Sequence, residues 1–271
     1  MPLLLVSTPI GNLGDLPPRA VEALRAADLI AAEDTRRTGN LLQTLGFSAP
    51  MISYHQHNRV VREPLLLEKL TAGQTIALVS DAGMPLISDP GESLVAACVT
   101  AGVAVTVIPG PNAALCGLLL SGLPCDRFAF EGFLPIKKAE LHTRLEALRT
   151  DPRTLIFYEA PHRIAKTLEA FCLIFGPRPA ALARELTKLH EEVLRLPLPD
   201  LAEAVRQTPP RGELVLVVGG CPVQEKTVTE EALRQALQQA RAEMPLKEAS
   251  AAVAKAFGVS ARSVYQLGLK K

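Results

Sequence analysis

Three loops carry residue types that could bind a small ligand. Ser80 to Gly91, SDAGMPLISDPG, packs two Gly, two Pro, two Asp and two Ser into one connection. Gly permits positive φ, whereas Pro fixes φ and removes a donor, so this backbone is shaped rather than slack. STPIGNLGD, Ser7 to Asp15, and IPGPNAAL, Ile108 to Leu115, are built alike. Each follows a short apolar run that reads as a strand: Leu3–Val6, Ile76–Val79 and Val103–Ile108. The carboxyl ends of strands are where open α/β sheets bind ligands. Thr8–Pro9–Ile10, Asp81 to Ile87 and Gly110–Pro111–Asn112–Ala113 would form the binding edge, offering carbonyls, amides and one acid.

No P-loop Lys accompanies these loops, which disfavours a polyphosphate. Hydroxyls, an amine and a flat base would suit the groups on offer, and S-adenosylmethionine meets that description. A dinucleotide is the competing ligand, since Glu33 and Asp34 follow the first loop by about twenty residues. The spacing argues against it: Gly11 and Gly14 give only G-x-x-G, and Pro9 cannot donate to a pyrophosphate.

Charged groups cluster at other strand ends. Glu33, Asp34, Arg36 and Arg37 stand at a strand-to-helix junction, where Asp34 could equally be a helix cap among surface charges. His162 and Arg163 open a helix, a place that favours an anion. Arg184, Glu185 and Lys188 mix both signs, so a structural ion pair competes with a functional role. His55 and His57 lack an evident third ligand, and no metal site is expected.

The elements that must position these groups alternate. Strands at Asp28–Ala32 and Met51–Tyr54 join the three already named, with helical spacing at Arg59–Thr71 and Glu92–Ala101. That alternation indicates βαβ units and a mostly parallel sheet. Pro124 to Asp126 reads as a hinge. Beyond it come a strand ending in FEGFLP, a helix over Lys137–Leu148, and strands at Thr154–Tyr158, Ala180–Ala183, Glu192–Leu196 and Gly212–Val218. The last fifty residues turn polar and helical, and PLKEASAAVAKAFGVSARSVYQLGLKK has helix-turn-helix spacing. The expected division is an N-terminal α/β lobe over 1–122, a second α/β lobe over 123–222 and a helical appendage over 223–271.

At 271 residues the chain can bury more than one core, and a net charge of +1 leaves any basic surface local. The five Cys show no CxxC spacing and read as buried free thiols in a reducing compartment. Neither a signal peptide nor a membrane-length apolar run is evident, so a soluble cytoplasmic chain is expected.

With these motifs in view, the chain resembles the tetrapyrrole-methylase superfamily, the class III S-adenosylmethionine-dependent methyltransferases. STPIGNLGDL, AEDTRRTGNLL, SYHQHNR, SDAGMPLISDPG, IPGPNAAL, FEGFLP, FYEAPHR, ARELTK and GELVLVVGG carry the likeness from Leu5 to Gly220. AEDTR, FYEAPHR and ARELTK tie it to the branch that methylates the ribose 2′-hydroxyl of a cytidine in bacterial small-subunit ribosomal RNA. Ala160 stands where Ser is common in that branch.

The resemblance implies S-adenosylmethionine held in a cleft between two α/β lobes and a homodimeric assembly. Motif by motif, it implies contacts from Pro9, Ile10, Asp81, Gly83, Met84, Ile87, Asn112, Ala113, Tyr158, Glu159, Gly212 and Glu213. The small ribosomal subunit or its RNA becomes the partner, with Arg36, Arg37, His162, Arg163 and Arg184 as RNA contacts converging on the cleft mouth. The helical tail, through Arg262, Lys270 and Lys271, is the alternative RNA reader. A ribose hydroxyl reacts only as it loses its proton, so a base or a nearby cation is needed. Glu33, Asp34, Glu185 and Lys188 are the candidates, unranked.

Overall fold

A computed structural model describes residues 2–222 and 229–269. The chain divides into a large compact unit ending at Cys221 and a small one beginning at Pro222. Lys270 and Lys271, assigned a role in the tail above, lie outside the described residues.

The large unit begins as a parallel α/β layer. Strand β1 (Leu3–Val6) leads to helix α1 (Pro18–Ala26), whose first position holds a Pro that needs no donor there. Next come β2 (Leu29–Ala32), α2 (Thr35–Thr44), β3 (Met51–Ser53), α3 (Arg59–Thr71), β4 (Ile76–Val79), α4 (Glu92–Thr100), β5 (Val105–Ile108) and α5 (Ala113–Ser121). The strands pair in the order β3-β2-β4-β1-β5, all parallel. β4 is buried along its whole length because helices cover both faces. The α/β expectation holds.

A second sheet follows. Its elements are β6 (Phe128–Phe133), α6 (Lys138–Leu148), β7 (Thr154–Glu159), α7 (Ile164–Phe175), β8 (Pro179–Arg184), β9 (Glu192–Pro197), α8 (Leu198–Gln207) and β10 (Leu214–Val218). The strand order is β6-β7-β10-β8-β9, with β6 and β7 parallel and the other pairs antiparallel. One face packs α7 and α8 through Phe157, Leu168, Phe171, Leu201 and Leu216. The other receives α5 from the first half: Ala114 and Leu118 join Ile156, Val215 and Val217 in one core. Gly117 makes this possible, since a Cβ there would lie 2.6 Å from Val215 Cγ1. The two sheets therefore share a helix.

The small unit holds α9 (Glu230–Arg241), α10 (Leu246–Phe257) and α11 (Ala261–Leu269) around Leu233, Leu237, Ala249, Val253 and Val264. Thr229 caps α9 by accepting from Ala232 N, and Gly258 ends α10 in the left-handed region. The thiols depart from expectation: only Cys98 is buried, and Cys125 is exposed. No helix among the described residues is long and apolar enough to cross a membrane.

Candidate active site

The three ligand-type loops meet above the first sheet and are laced together. Thr8 and Gly83 exchange backbone hydrogen bonds of 2.9 and 3.0 Å. Thr8 Oγ1 donates to Ser80 O, Ser80 Oγ to Gly83 O and Ser7 Oγ to Pro111 O, at 3.1–3.2 Å. The second sheet faces this rim with Tyr158, Glu159 and Gly212 to Val215. Between them lies a cavity of about 420 Å³, in the size range of small-ligand sites.

Ile10, Asp81, Gly83, Met84, Ile87, Asn112, Ala113, Tyr158, Glu159, Gly212 and Glu213 all line this cavity. Pro9 does not. It sits in an adjoining groove with Thr8, Gly11 and Thr38. Ala82, Leu214 and Val215 belong to the wall as well, and so do Arg37, Ser88, Asp89, Phe133, Ala160 and Pro161. None of the last six was assigned to the ligand from sequence, although Ser88 and Asp89 lie within SDAGMPLISDPG.

Four acids, Asp81, Asp89, Glu159 and Glu213, face a single cation, Arg37, among the described lining residues. Such a wall suits a cationic ligand and opposes a phosphate. Apolar Ile10, Met84, Ile87 and Val215 give it surface for a flat ring. A sulfonium, an amine and an adenine fit this donor set.

Backbone strain gathers in two loops beside the cavity. Among the described residues, the non-Gly residues with positive φ are Leu86 (72°), Ser88 (72°), Glu185 (51°) and Thr187 (65°). Strain of this kind is held only where surrounding contacts over-determine the chain, and it concentrates at functional sites.

Several side chains have structural duties that the sequence did not reveal. Asn112 caps α5 by accepting from Leu115 N, and Tyr158 Oη accepts from Ala114 N in the same turn. Glu159 is buried and accepts from Ala160 N at 2.8 Å and Thr167 Oγ1 at 2.6 Å, with Arg163 Nε at 3.3 Å. Asp81 Oδ1 accepts from Asp34 N, and its Oδ2 pairs with Arg37 at 3.3 Å, so this acid anchors the start of α2.

The four candidate bases separate. Asp34 caps α2, and hydrogen bonds from Arg36 hold its carboxyl far below the ordinary range, which corrects its assignment as a base. Glu185 accepts from Glu213 N and Lys188 Nζ, both at 3.0 Å, and those bonds lower it too. Burial opposes the Lys188 charge, but its hydrogen bonds to Glu185 and Glu213 outweigh burial and raise its pKa. Lys188 is thus held in its charged form by two carboxylate partners. Only Glu33 moves toward neutrality, raised by burial and then by Asp81. Asp89 moves further. Burial, with help from Glu33 and Asp81 and against the Ser80 hydroxyl, pushes it to about 7.

The expected convergence of arginines on the cleft mouth is corrected in two places. Arg184 shares a face of β8 with Leu182, lines a separate groove beside α8 and pairs with Glu192 at 2.6 Å. Side chains alternate along a strand, so with Ala183 in the core shared with α5, Arg184 points to the opposite face. Arg163 donates through Nη2 to Leu134 O and Pro135 O at 2.9 and 3.2 Å, besides its pair with Glu159. Its guanidinium is taken by the protein itself. Arg36 and Arg37 are 88% and 68% exposed. His162 is exposed in the turn before α7 and does not line the cavity. His55 Nε2 lies 3.2 Å from Asn58 Nδ2, and no group of three or more His, Cys, Asp or Glu among the described residues is placed to hold a metal ion.

Residues 2–202 match the family model of tetrapyrrole (corrin/porphyrin) methylases. The chain belongs to that family. Residues 227–271 match a second model, the RsmI C-terminal HTH domain. Ribosomal RNA small subunit methyltransferase I of Escherichia coli O157:H7 is 47% identical over 99% of this chain and 95% of its own length. The protein of the same name from Synechocystis is 48% identical over 99% and 97%. Among solved structures, diphthine synthase superposes with a TM-score of 0.62 at 15% identity, covering 81% of this chain and 90% of its own. Uroporphyrin-III C-methyltransferase from Thermus thermophilus, complexed with S-adenyl homocysteine, gives 0.57 at 21%, covering 81% and 97%. These two likenesses concern the fold alone.

Proposed function

We propose that this chain uses S-adenosylmethionine to methylate the ribose 2′-hydroxyl of a cytidine in small-subunit ribosomal RNA. The observation that carries this reading is likeness along nearly the whole chain to proteins named ribosomal RNA small subunit methyltransferase I. The acid-rich cleft supports it, because a sulfonium and an amine gain from nearby carboxylates.

When bound, the cofactor supplies an electrophilic methyl group. The chain's own residues do the rest. The laced loops fix the rim, which favours an in-line approach by holding the reactants in place. Asp89 stands on the cavity wall with a pKa near 7, suited to take the proton of the 2′-hydroxyl. Glu33 is not among the residues lining the cavity, and its charge helps to raise Asp89. Lys188 acts as a positioning residue, tying Glu185 to Glu213 below the cleft.

The partner is the small ribosomal subunit or its RNA, met through Arg36 and Arg37, and the working form is a cytoplasmic homodimer. Sedimentation at micromolar concentration tests the dimer. The activity is tested by incubating tritiated S-adenosylmethionine with small subunits lacking the modification, then mapping the labelled nucleotide. Label on a cytidine ribose is expected. Label on a base atom would overturn the 2′-O assignment, and unlabelled RNA would overturn the reading as a whole.

A further inference from the structure

Phe133, the last residue of β6, is 58% exposed at the wall of the cleft, although it is a large aromatic side chain. Its placement follows from an irregularity. β6 pairs in register with β7 up to Phe130 opposite Ile156, then resumes with Gly132 opposite Phe157 and Phe133 opposite Tyr158. Residues three apart on a regular strand point to opposite faces. The bulge adds one residue, with Gly132 at φ +64°, and so returns Phe133 to the face of Phe130 and Tyr158. The Phe133 ring centroid lies 5.5 Å from that of Tyr158, at an angle of 59°.

The segment after it is clamped. Leu134 is buried, and the Leu134 and Pro135 carbonyls both accept from Arg163, itself paired with the buried, fully bonded Glu159. Ile136, Lys137 and Lys138 follow, all exposed, and Arg37 enters the same cavity from the first sheet. An exposed ring on a rigid mount, in a cavity that Arg37 also lines and with two exposed lysines close behind it in the chain, matches how proteins hold an unstacked base in single-stranded RNA. Chemistry on a nucleotide inside a structured RNA requires that nucleotide to leave its stack.

Resting on the RNA reading above, we propose that Phe133 is the platform on which the base of the target nucleotide stacks, which sets its ribose over the cleft. Arg37 and the Lys137–Lys138 pair would hold the flanking phosphates.

The test uses the full chain, unmodified small subunits, tritiated S-adenosylmethionine and calorimetry with S-adenosylhomocysteine. Phe133→Leu keeps an apolar side chain but loses the ring. It should lower kcat/KM for subunits by about 5-fold to 150-fold, the range that ~1–3 kcal/mol of stacking corresponds to. S-adenosylhomocysteine affinity should stay within about twofold, and Phe133→Tyr should recover most of the loss. Wild-type kcat/KM in Phe133→Leu would overturn the proposal. An equal fall in S-adenosylhomocysteine affinity would overturn it as well, assigning the ring to the cofactor. A Phe133→Tyr as poor as Phe133→Leu would reduce the ring to packing. Failure of the RNA reading looks different: the wild-type chain itself would leave the subunits unlabelled, and both would fall together.

Discussion

Asp89 shows how environment makes one carboxyl in this cleft unlike its neighbours. Its folded-state pKa near 7 exceeds the value near 4 of an unfolded Asp. Between those values the folded chain holds a proton that the unfolded chain has released. The associated stability is therefore complete below about pH 4 and lost as pH rises through 7. Asp89→Asn cannot ionise, so denaturant melts should find it more stable than wild type at pH 8 and equal to it below pH 4. In its proposed role as base, Asp89 must be ionised, so wild-type kcat/KM should rise through pH 7 to a plateau. Asp89→Asn should lose that rise and about 10²–10⁴-fold in rate. Sequence showed an acid in a Pro- and Gly-rich loop but not the burial that singles it out, nor the help it receives from Glu33, distant along the chain. Asp34 shows the converse, since its capping role was readable beside the junction it closes. Gly212 carries a different burden. At φ +85° it lies so close to Glu185 that a Cβ would overlap the carboxylate. Gly212→Ala should lower the melting midpoint by several degrees, because left-handed backbone costs a residue with Cβ about 1–2 kcal/mol before any clash.

Among the elements, short apolar runs were the most readable part of the chain. β1 and β4 occupy the runs Leu3–Val6 and Ile76–Val79, and α3 spans Arg59–Thr71 despite Pro64 within it. Both strands are central and covered on two faces, so burial writes itself into unbroken hydrophobicity. The bulge in β6 left no such mark, because a register change depends on the partner strand. Arg184 was misplaced for a related reason: sequence showed it at a strand end but not which face would be cleft. The Glu159–Arg163 pair couples three elements, β7, the start of α7 and the segment after β6. Arg163→Ala would strand a buried carboxylate and release that segment. A loss on the order of 3 kcal/mol is expected in urea melts. Adding Glu159→Gln should recover part of it, whereas a purely RNA-binding Arg163 would show no such recovery.

At the scale of the whole molecule, every residue lining the cleft belongs to the unit ending at Cys221. A chain of residues 1–221 should therefore bind S-adenosylhomocysteine like the full chain in calorimetry. For RNA, Arg36→Ala should shallow the salt dependence of binding by about 0.7–0.9 in log–log slope, one phosphate contact's worth. Deleting Pro245 to Lys271 should change it less, and the reverse order would assign RNA reading to the tail. The shared helix α5 has a consequence for turnover. Because Gly117 packs on Val215 and Tyr158 caps the first turn of α5, opening the two halves as a clamshell would break the core they share through α5. Ligands must then pass through the mouth where Phe133 stands. RNA stacked on Phe133 as proposed would close that exit, so the small molecule should arrive first and depart last. Steady-state kinetics should show compulsory order, with S-adenosylhomocysteine competing against S-adenosylmethionine and not against the subunit.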